Sequence, residues 1–393
     1  MTGKSRVVPV ASSRTFSDRI GFAGTGLTAL TVTDVRSWFD RIRAGDLNPA
    51  EYRATLLVVY RTWMIAFLFK ALGSGWDVAW HFRFNRDDFA PPHDVNLLGD
   101  GIAIALVLCH WYTRFGVDKI AFRLMAGGAA LFVVSAPIDV INHRINGLDI
   151  TSWSVTHFGL YTGTAIMIAG VIRGWRLHSE GLSSRAFILG ALWLFFLENV
   201  WFPNQHQEYG IEEIASWDRG HPYAEPALLN FAAQQLGRPV DRGSLVAFSL
   251  PVEAWVYPLW AVTAAMLTLV IARRSVGLRW TATTIAAAYV VWRCVLWPIL
   301  AGVGFPTSAL PFLIVAGGLA IDLVCLANLP WPAEAAIGAA LTTAAVYLAG
   351  FAQGQAIVAP PISYWSAPIA GLILFAGWSV LAWLRAKRNL TLF

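Results

Sequence analysis

Long apolar runs alternate with short polar segments along most of the chain. Ten runs approach or reach the roughly 20 residues that a helix needs to cross a bilayer. They cover residues 54–76, 98–113, 121–141, 157–175, 186–203, 249–272, 281–301, 308–328, 335–352 and 366–384. This pattern predicts an all-α fold, a polytopic membrane helix bundle of about ten transmembrane helices.

Basic residues recur in every second connection between these runs, and such connections usually face the cytoplasm. The basic residues are Arg36, Arg41, Arg43, Arg53, Arg114, Lys119, Arg123, Arg173, Arg176, Arg185, Arg273, Arg274, Arg279, Arg385, Lys387 and Arg388. Only the connection at 329–334 has no basic residue. It is assigned to the cytoplasm because successive connections alternate between the two sides of the membrane. Both termini are therefore predicted to be cytoplasmic.

The composition fits a membrane protein better than a soluble one. Of the 393 residues, 56% are hydrophobic and 13% are charged, where soluble domains have about 25% charged residues. The net charge of +5 does not indicate a nucleic-acid partner, because the basic residues lie in short loops. We expect an integral membrane protein of a bacterial-type plasma membrane.

Three regions follow from the pattern. Residues 1–50 form a cytoplasmic segment, in which Trp38, Phe39 and Ile42 indicate an amphipathic helix at the membrane surface. Residues 51–180 form a four-helix membrane unit with an internal repeat. Residues 181–393 form a six-helix membrane unit, with a long outer loop at 204–248 that could cover a site.

The repeat places acidic residues and histidines at equivalent points of two helical hairpins. The first copy has Asp77, His81 and His93, and the second has Asp139, His143 and His157. In each copy an Asp and a His lie four residues apart at the outer end of one predicted span, and the last His opens the next. Both pairs are expected on the extracytoplasmic side.

This spacing suits a metal site. Residues four apart share one face of a helix, so each pair offers a carboxylate and an imidazole from one rigid element. The returning histidine adds a third ligand, and such a set leaves positions open for water, dioxygen or substrate. The two sets could be separate metals, a dinuclear pair or one shared site. Asp87, Asp88 or Asp94 could replace Asp77 or orient a histidine.

The segment from about residue 60 to 160 resembles the C subunit of the copper membrane monooxygenases, the particulate methane and ammonia monooxygenase family. That subunit has an Asp-x3-His pair followed by Arg-Asp and Phe-x-Pro-x-His, which here are Asp77 to His81, Arg86-Asp87 and Phe89 to His93. The resemblance implies that Asp77, His81 and His93 bind copper.

The family also has an Asn-x3-His pair on a later helix as a second copper position. Asp139 and His143 occupy that place, with Asp instead of Asn, and His157 has no counterpart in the family. The ligands by themselves would also suit iron, manganese or zinc.

The second half offers fewer candidates. Glu198 and His206 could be a degenerate third copy, although a hydrogen-bonded helix-end carboxylate is the simpler interpretation. Glu253 could face the same cavity and Arg293 could neutralise one of the acids. For Asp322, a structural hydrogen bond to a neighbouring helix is expected.

The leading functional hypothesis is a metal-dependent oxidoreductase with dioxygen as oxidant, a copper monooxygenase if the family resemblance holds for the metal. The same six residues serve as metal ligands and catalytic residues, and the substrate is a lipophilic small molecule or lipid in a pocket shaped by Trp76, Trp80, Phe82 and Phe89. The alternatives are a non-redox membrane enzyme (lipid hydrolase, cyclase or isomerase) and a metal-handling transporter. Partner subunits or a homo-oligomer are left open.

Overall fold

The computed structural model describes residues 32–85, 90–146 and 151–386. Within these ranges the chain is helical, without a strand. The helices are α1 Val32–Ala44, α2 Pro49–His81, α3 Pro91–Thr113, α4 Lys119–Asn146, α5 Val155–His178, α6 Arg185–Asp218, α7 Pro226–Gln235, α8 Arg242–Ser249, α9 Val256–Trp260, α10 Met266–Val276, α11 Thr281–Gly302, α12 Leu313–Leu326, α13 Trp331–Ala356 and α14 Ala367–Ala386.

Nine helical spans among the described residues are long and apolar enough to cross a membrane. One of them combines α9 and α10, which are joined by a π-helical turn at Ala261–Ala265. The outer faces carry exposed apolar side chains, such as Val133, Val134, Ile138 and Ile141 of α4, each at least half exposed. Such faces are typical of helices that contact lipid. The prediction of an all-α membrane bundle is thus confirmed, while the orientation of its termini stays a prediction.

The predicted span at 308–328 is shorter than expected. Its helix, α12, has 14 residues, or about 21 Å at 1.5 Å per residue, which is less than the hydrocarbon core of a bilayer. The residues before it are extended, since Pro306 and Pro311 interrupt the helix. Arg293 and Gln353 bind this segment by donating to the Ser308 hydroxyl and the Leu310 carbonyl.

The segment predicted as an outer loop, 204–248, is largely helical, so that prediction is wrong. The helix α6 continues through Pro203 to Asp218, and α7 and α8 follow. The polar residues Asn204 to Glu208 are buried and their side chains bond to neighbouring helices. These tertiary contacts stabilise a helix that the polar composition alone does not indicate.

The amphipathic helix predicted within residues 1–50 is present as α1. Ile42 is buried, Trp38 packs against the core, and Arg41 pairs with Glu51 at the start of α2. Glu51 and Asn48 form a reciprocal capping box that begins α2. That α1 lies on a lipid surface stays a prediction.

Two antiparallel hairpins, α2–α3 and α4–α5, form the first half of the bundle. In the second hairpin the backbones of α4 and α5 are in close contact at Gly128 and Gly163. A Cβ on Gly128 would lie 2.5 Å from the Gly163 carbonyl oxygen. The helix α6 packs on α2 and α5 of the two hairpins and also on α10 and α11. It therefore joins the hairpins to the second half of the chain.

Candidate metal centre

The end of α2 and the start of α3 bring Asp77, His81 and His93 together. The Oδ1 atom of Asp77 lies 3.1 Å from His81 Nε2 and 2.9 Å from His93 Nε2. The two Nε2 atoms are 3.3 Å apart. All three donor atoms thus face one point, as the spacing of four residues and the returning helix predict.

The end of α4 and the start of α5 repeat the arrangement with Asp139, His143 and His157. Here each carboxylate oxygen of Asp139 faces a different histidine. Oδ1 lies 3.5 Å from His143 Nε2, and Oδ2 lies 3.6 Å from His157 Nε2. One ligand atom from each residue lies within 4.8 Å of the others. The second cluster is therefore wider than the first.

His157 is positioned by its own helix start. The Ser154 hydroxyl caps α5 by accepting a hydrogen bond from the His157 backbone N–H. The His157 Nδ1 atom lies 3.2 Å from the Thr151 carbonyl oxygen. Since a carbonyl only accepts, Nδ1 carries the proton in this hydrogen bond. If the ring is neutral, Nε2 presents a lone pair toward Asp139 and His143, which is the state in which histidine binds metals.

Both clusters line a single cavity of about 340 Å³. Its remaining walls are mainly apolar, with Val78, Phe82, Phe132, Leu160 and Phe202 among them. The volume is at the lower end of the range typical of small-molecule sites. The two hairpins therefore direct their acid and imidazole groups into one pocket.

Only part of the predicted aromatic wall is present. Phe82 lines the cavity, whereas Phe89 lies outside the described residues. Trp76 and Trp80 face another way and contact Phe305, with ring centroids 6.1 Å and 5.8 Å away. Of the alternative acids, Asp94 is exposed, and Asp87 and Asp88 lie outside the described residues.

Two charged residues of the cavity wall, Lys70 and Asp100, were not predicted from the sequence. Lys70 and Asp100 form a buried ion pair, with Nζ and Oδ1 2.6 Å apart. His206 was predicted only as part of a degenerate third copy of the Asp–His repeat. Its side chain lines the cavity, and its Nε2 lies 3.2 Å from the Phe248 carbonyl oxygen. The signal for Lys70 and Asp100 was available, because each interrupts an apolar run with a charge.

The acids of the second half have structural partners. Glu208 pairs with Arg293 at 2.7 Å and accepts from Trp201 and Tyr257, so the expected role of Arg293 is confirmed. Glu198 accepts from Gln205. Neither Glu198 nor His206 belongs to a metal-ligand group among the described residues.

Two further acids of the second half, Asp322 and Glu253, do not line the cavity. Asp322 pairs with Arg273 and accepts from the backbone N–H of Thr283, which confirms the structural hydrogen bond expected for it. Glu253 is exposed and does not line the cavity.

No protein-family model, curated protein or solved structure matches this chain. The site must therefore be judged on its own geometry.

That geometry fits a divalent metal ion. Ligand atoms held about 2.0–2.2 Å from one ion lie roughly 3 Å from each other, and the three distances in the first cluster are 2.9, 3.1 and 3.3 Å. Two imidazoles and one carboxylate form a mixed nitrogen and oxygen donor set that suits copper, iron, manganese or zinc. The second cluster offers the same donors at longer distances.

Proposed function

We propose that this chain is a membrane metalloenzyme, an oxidoreductase of the monooxygenase type that uses dioxygen on a lipophilic substrate. The carrying observation is the convergence of Asp77 Oδ1, His81 Nε2 and His93 Nε2 within 3.3 Å. Its repetition by Asp139, His143 and His157 in the same cavity supports it.

In this proposal Asp77, His81 and His93 hold one metal ion, and Asp139, His143 and His157 hold another. Copper is the metal that the family resemblance implies, with iron, manganese and zinc as alternatives. A bound redox metal supplies the electron transfer to dioxygen that no protein side chain provides.

The residues of the chain contribute binding and orientation. The two aspartates balance positive charge between the helices, and the Thr151 carbonyl fixes the proton of His157 on Nδ1. The apolar walls around Phe132 and Phe202 bind a lipophilic molecule and exclude water.

The cavity is proposed to open on the extracytoplasmic side, because the basic loops are at the opposite ends of α2–α5. Lipid is the natural route for its substrate, since both hairpins have apolar outer faces.

The test is the metal content of the purified full-length protein by mass spectrometry. We expect bound copper or another redox metal in the wild type and a loss of at least one equivalent in His81→Ala and His93→Ala. His221→Ala is the matched control, because His221 is exposed, does not line the cavity and belongs to neither cluster. Unchanged metal content in both cluster variants would remove the proposal.

Dioxygen dependence separates the enzyme classes. Substrate oxidation that stops without dioxygen supports the monooxygenase assignment. Turnover that continues without dioxygen would instead assign the site to a non-redox membrane enzyme such as a hydrolase, cyclase or isomerase.

A further inference from the structure

The buried pair Lys70–Asp100 lies in the wall of the cavity and is not part of either cluster. Lys70 is seven residues before Asp77 on α2, and Asp100 is seven residues after His93 on α3. Seven residues are nearly two helical turns, so each shares a helix face with a residue of the first cluster and lies about 10 Å deeper along the axis.

Burial of the Lys70–Asp100 ion pair costs desolvation free energy, which a simple link between two helices would not require. Both side chains are buried, at 10% and 6% exposure, between membrane-spanning helices where ionisable groups are usually functional. A buried ion pair seldom stabilises a protein more than apolar residues of the same size would. Its position in the wall of a cavity indicates a ligand.

The hydrogen-bonding capacity of the pair is only partly used. Asp100 accepts from Lys70 through Oδ1, whereas its buried Oδ2 has no hydrogen-bond partner among the described residues. The Lys70 ammonium also lies over the Phe132 ring, 4.1 Å from its centroid. A buried carboxylate oxygen without a donor is unfavourable, and a ligand that donates a hydrogen bond would satisfy it.

The surroundings define the rest of the ligand. Val78, Phe132 and Leu160 line the same cavity, so the ligand is apolar over most of its length. The pair carries no net charge, which disfavours a charged headgroup. A hydroxyl donates to Asp100 Oδ2 and can accept from the Lys70 ammonium, whereas an alkane does neither.

We infer that the cavity binds a lipophilic alcohol, with its hydroxyl on Lys70 and Asp100 and its apolar end toward the two Asp–His–His clusters. This inference rests on the proposed function for the role of the clusters, but the hydroxyl site itself does not require a metal. It names the substrate class as medium-chain aliphatic alcohols, whose carbon end remote from the hydroxyl would lie nearest the clusters.

The test is equilibrium binding of labelled 1-octanol and n-octane to the full-length protein in phosphatidylcholine nanodiscs, without added metal. One satisfied hydrogen-bonding group corresponds to a preference for octanol of roughly fivefold to tenfold, after subtraction of partitioning into empty nanodiscs. The double variant Lys70→Met/Asp100→Leu replaces the pair by apolar residues of similar size and should bind both probes equally.

Asp100→Asn gives a second test that keeps the hydrogen bond to Lys70. It replaces the acceptor Oδ2 by an N–H donor, so the preference should move from 1-octanol toward 2-octanone, which only accepts. An octanol preference that persists in both variants would overturn the inference and leave the pair as a link between helices.

Ala136→Trp tests whether the probes occupy this cavity, since Ala136 lines it. This substitution should abolish specific binding of octanol; binding that survives it lies elsewhere and contradicts the inference. His81→Ala should retain the octanol preference, so a failure of the metal assignment is distinguishable from a failure of the alcohol site.

Discussion

Nε2 of His93, at the start of α3, lies 2.9 Å from Oδ1 of Asp77, near the end of α2. The contact joins the two arms of a hairpin at the point where His81 also turns inward. A metal ion here would therefore be bound by two helices at once, so metal occupancy and hairpin geometry should depend on each other.

The first cluster should bind metal more tightly than the second. Its donor atoms are 2.9–3.3 Å apart, whereas those of Asp139 with His143 and His157 are 3.5–3.6 Å apart, so the second must contract on binding. The metal equivalent of the second cluster is the one that His143→Ala should remove. When the wild type is titrated with a chelator, we expect this equivalent to leave first. Simultaneous loss of both equivalents from the wild type would contradict this order.

The close approach of α4 and α5 offers a matched pair of glycine substitutions. A Cβ on Gly128 would lie 2.5 Å from the Gly163 carbonyl oxygen, while one on Gly127 would meet nothing within 4 Å. We expect Gly128→Ala to destabilise the protein by about 1–3 kcal/mol, as overpacking does, and to weaken the second metal site. Gly127→Ala should leave both unchanged, measured by thermal unfolding in detergent and by metal content. Equal behaviour of the two variants would refute close packing at Gly128.

Glu208 and Arg293 should stabilise the folded protein only when both are present. Both side chains are almost fully buried and their atoms are 2.7 Å apart. Glu208→Ala leaves the guanidinium buried without its counter-ion and should cost about 3–5 kcal/mol. Glu208→Met/Arg293→Met should recover much of this loss in the same unfolding measurement. A double variant that is as unstable as Glu208→Ala, or less stable, would contradict this dependence of one charge on the other.

Asp118 provides a pH-dependent contribution outside the spans. Hydrogen bonds from Arg173 hold the pKa of its carboxyl below its usual value of 3.8, and the Ala121 backbone N–H adds to this effect. A lowered pKa in the folded state stabilises the protein above pH 3.8 and is lost as the pH falls through the folded value.

Asp118→Asn keeps an acceptor for Ala121 but removes the charge. Because Asp118 is about one-third exposed, we expect a loss of about 1 kcal/mol or less at pH 7. The difference from the wild type in unfolding temperature should shrink once the pH falls below 3.8 and vanish below the lowered pKa of the folded state. A difference that is constant with pH would exclude the charge as its cause.

The proposed orientation can be measured on intact cells. In a cysteine-free background, His221→Cys between α6 and α7 should react with a membrane-impermeant maleimide, whereas Gly277→Cys after α10 should react only after lysis. Both positions are at polar connections between helices. The reverse pattern would place the two clusters on the cytoplasmic side.

Much of the site follows from local sequence, because its spacing is set by one helix. Asp77 and His81, like Asp139 and His143, share a face through the helical repeat alone, and Pro91 and Ser154 mark where the returning helices begin. The spans were predictable because lipid demands continuous apolar runs.

The remainder depends on tertiary contacts that spacing does not encode. The buried partners of Asn204 to Glu208 extend α6 through a polar segment, and the bond from Arg293 to Ser308 stabilises an extended approach to α12. The meeting of Lys70 with Asp100 likewise required the relative rotation of α2 and α3.

The helix α6 connects the second half of the chain to the wall of the cavity. His206 lines the cavity and Glu208, two residues later, is bound to Arg293 of α11. Because His206 and Glu208 lie on the same helix, a movement of α6 at the contact with Arg293 would also move the cavity wall at His206. Substitutions around α11 should therefore change the shape of the cavity, although they lie outside both Asp–His–His clusters.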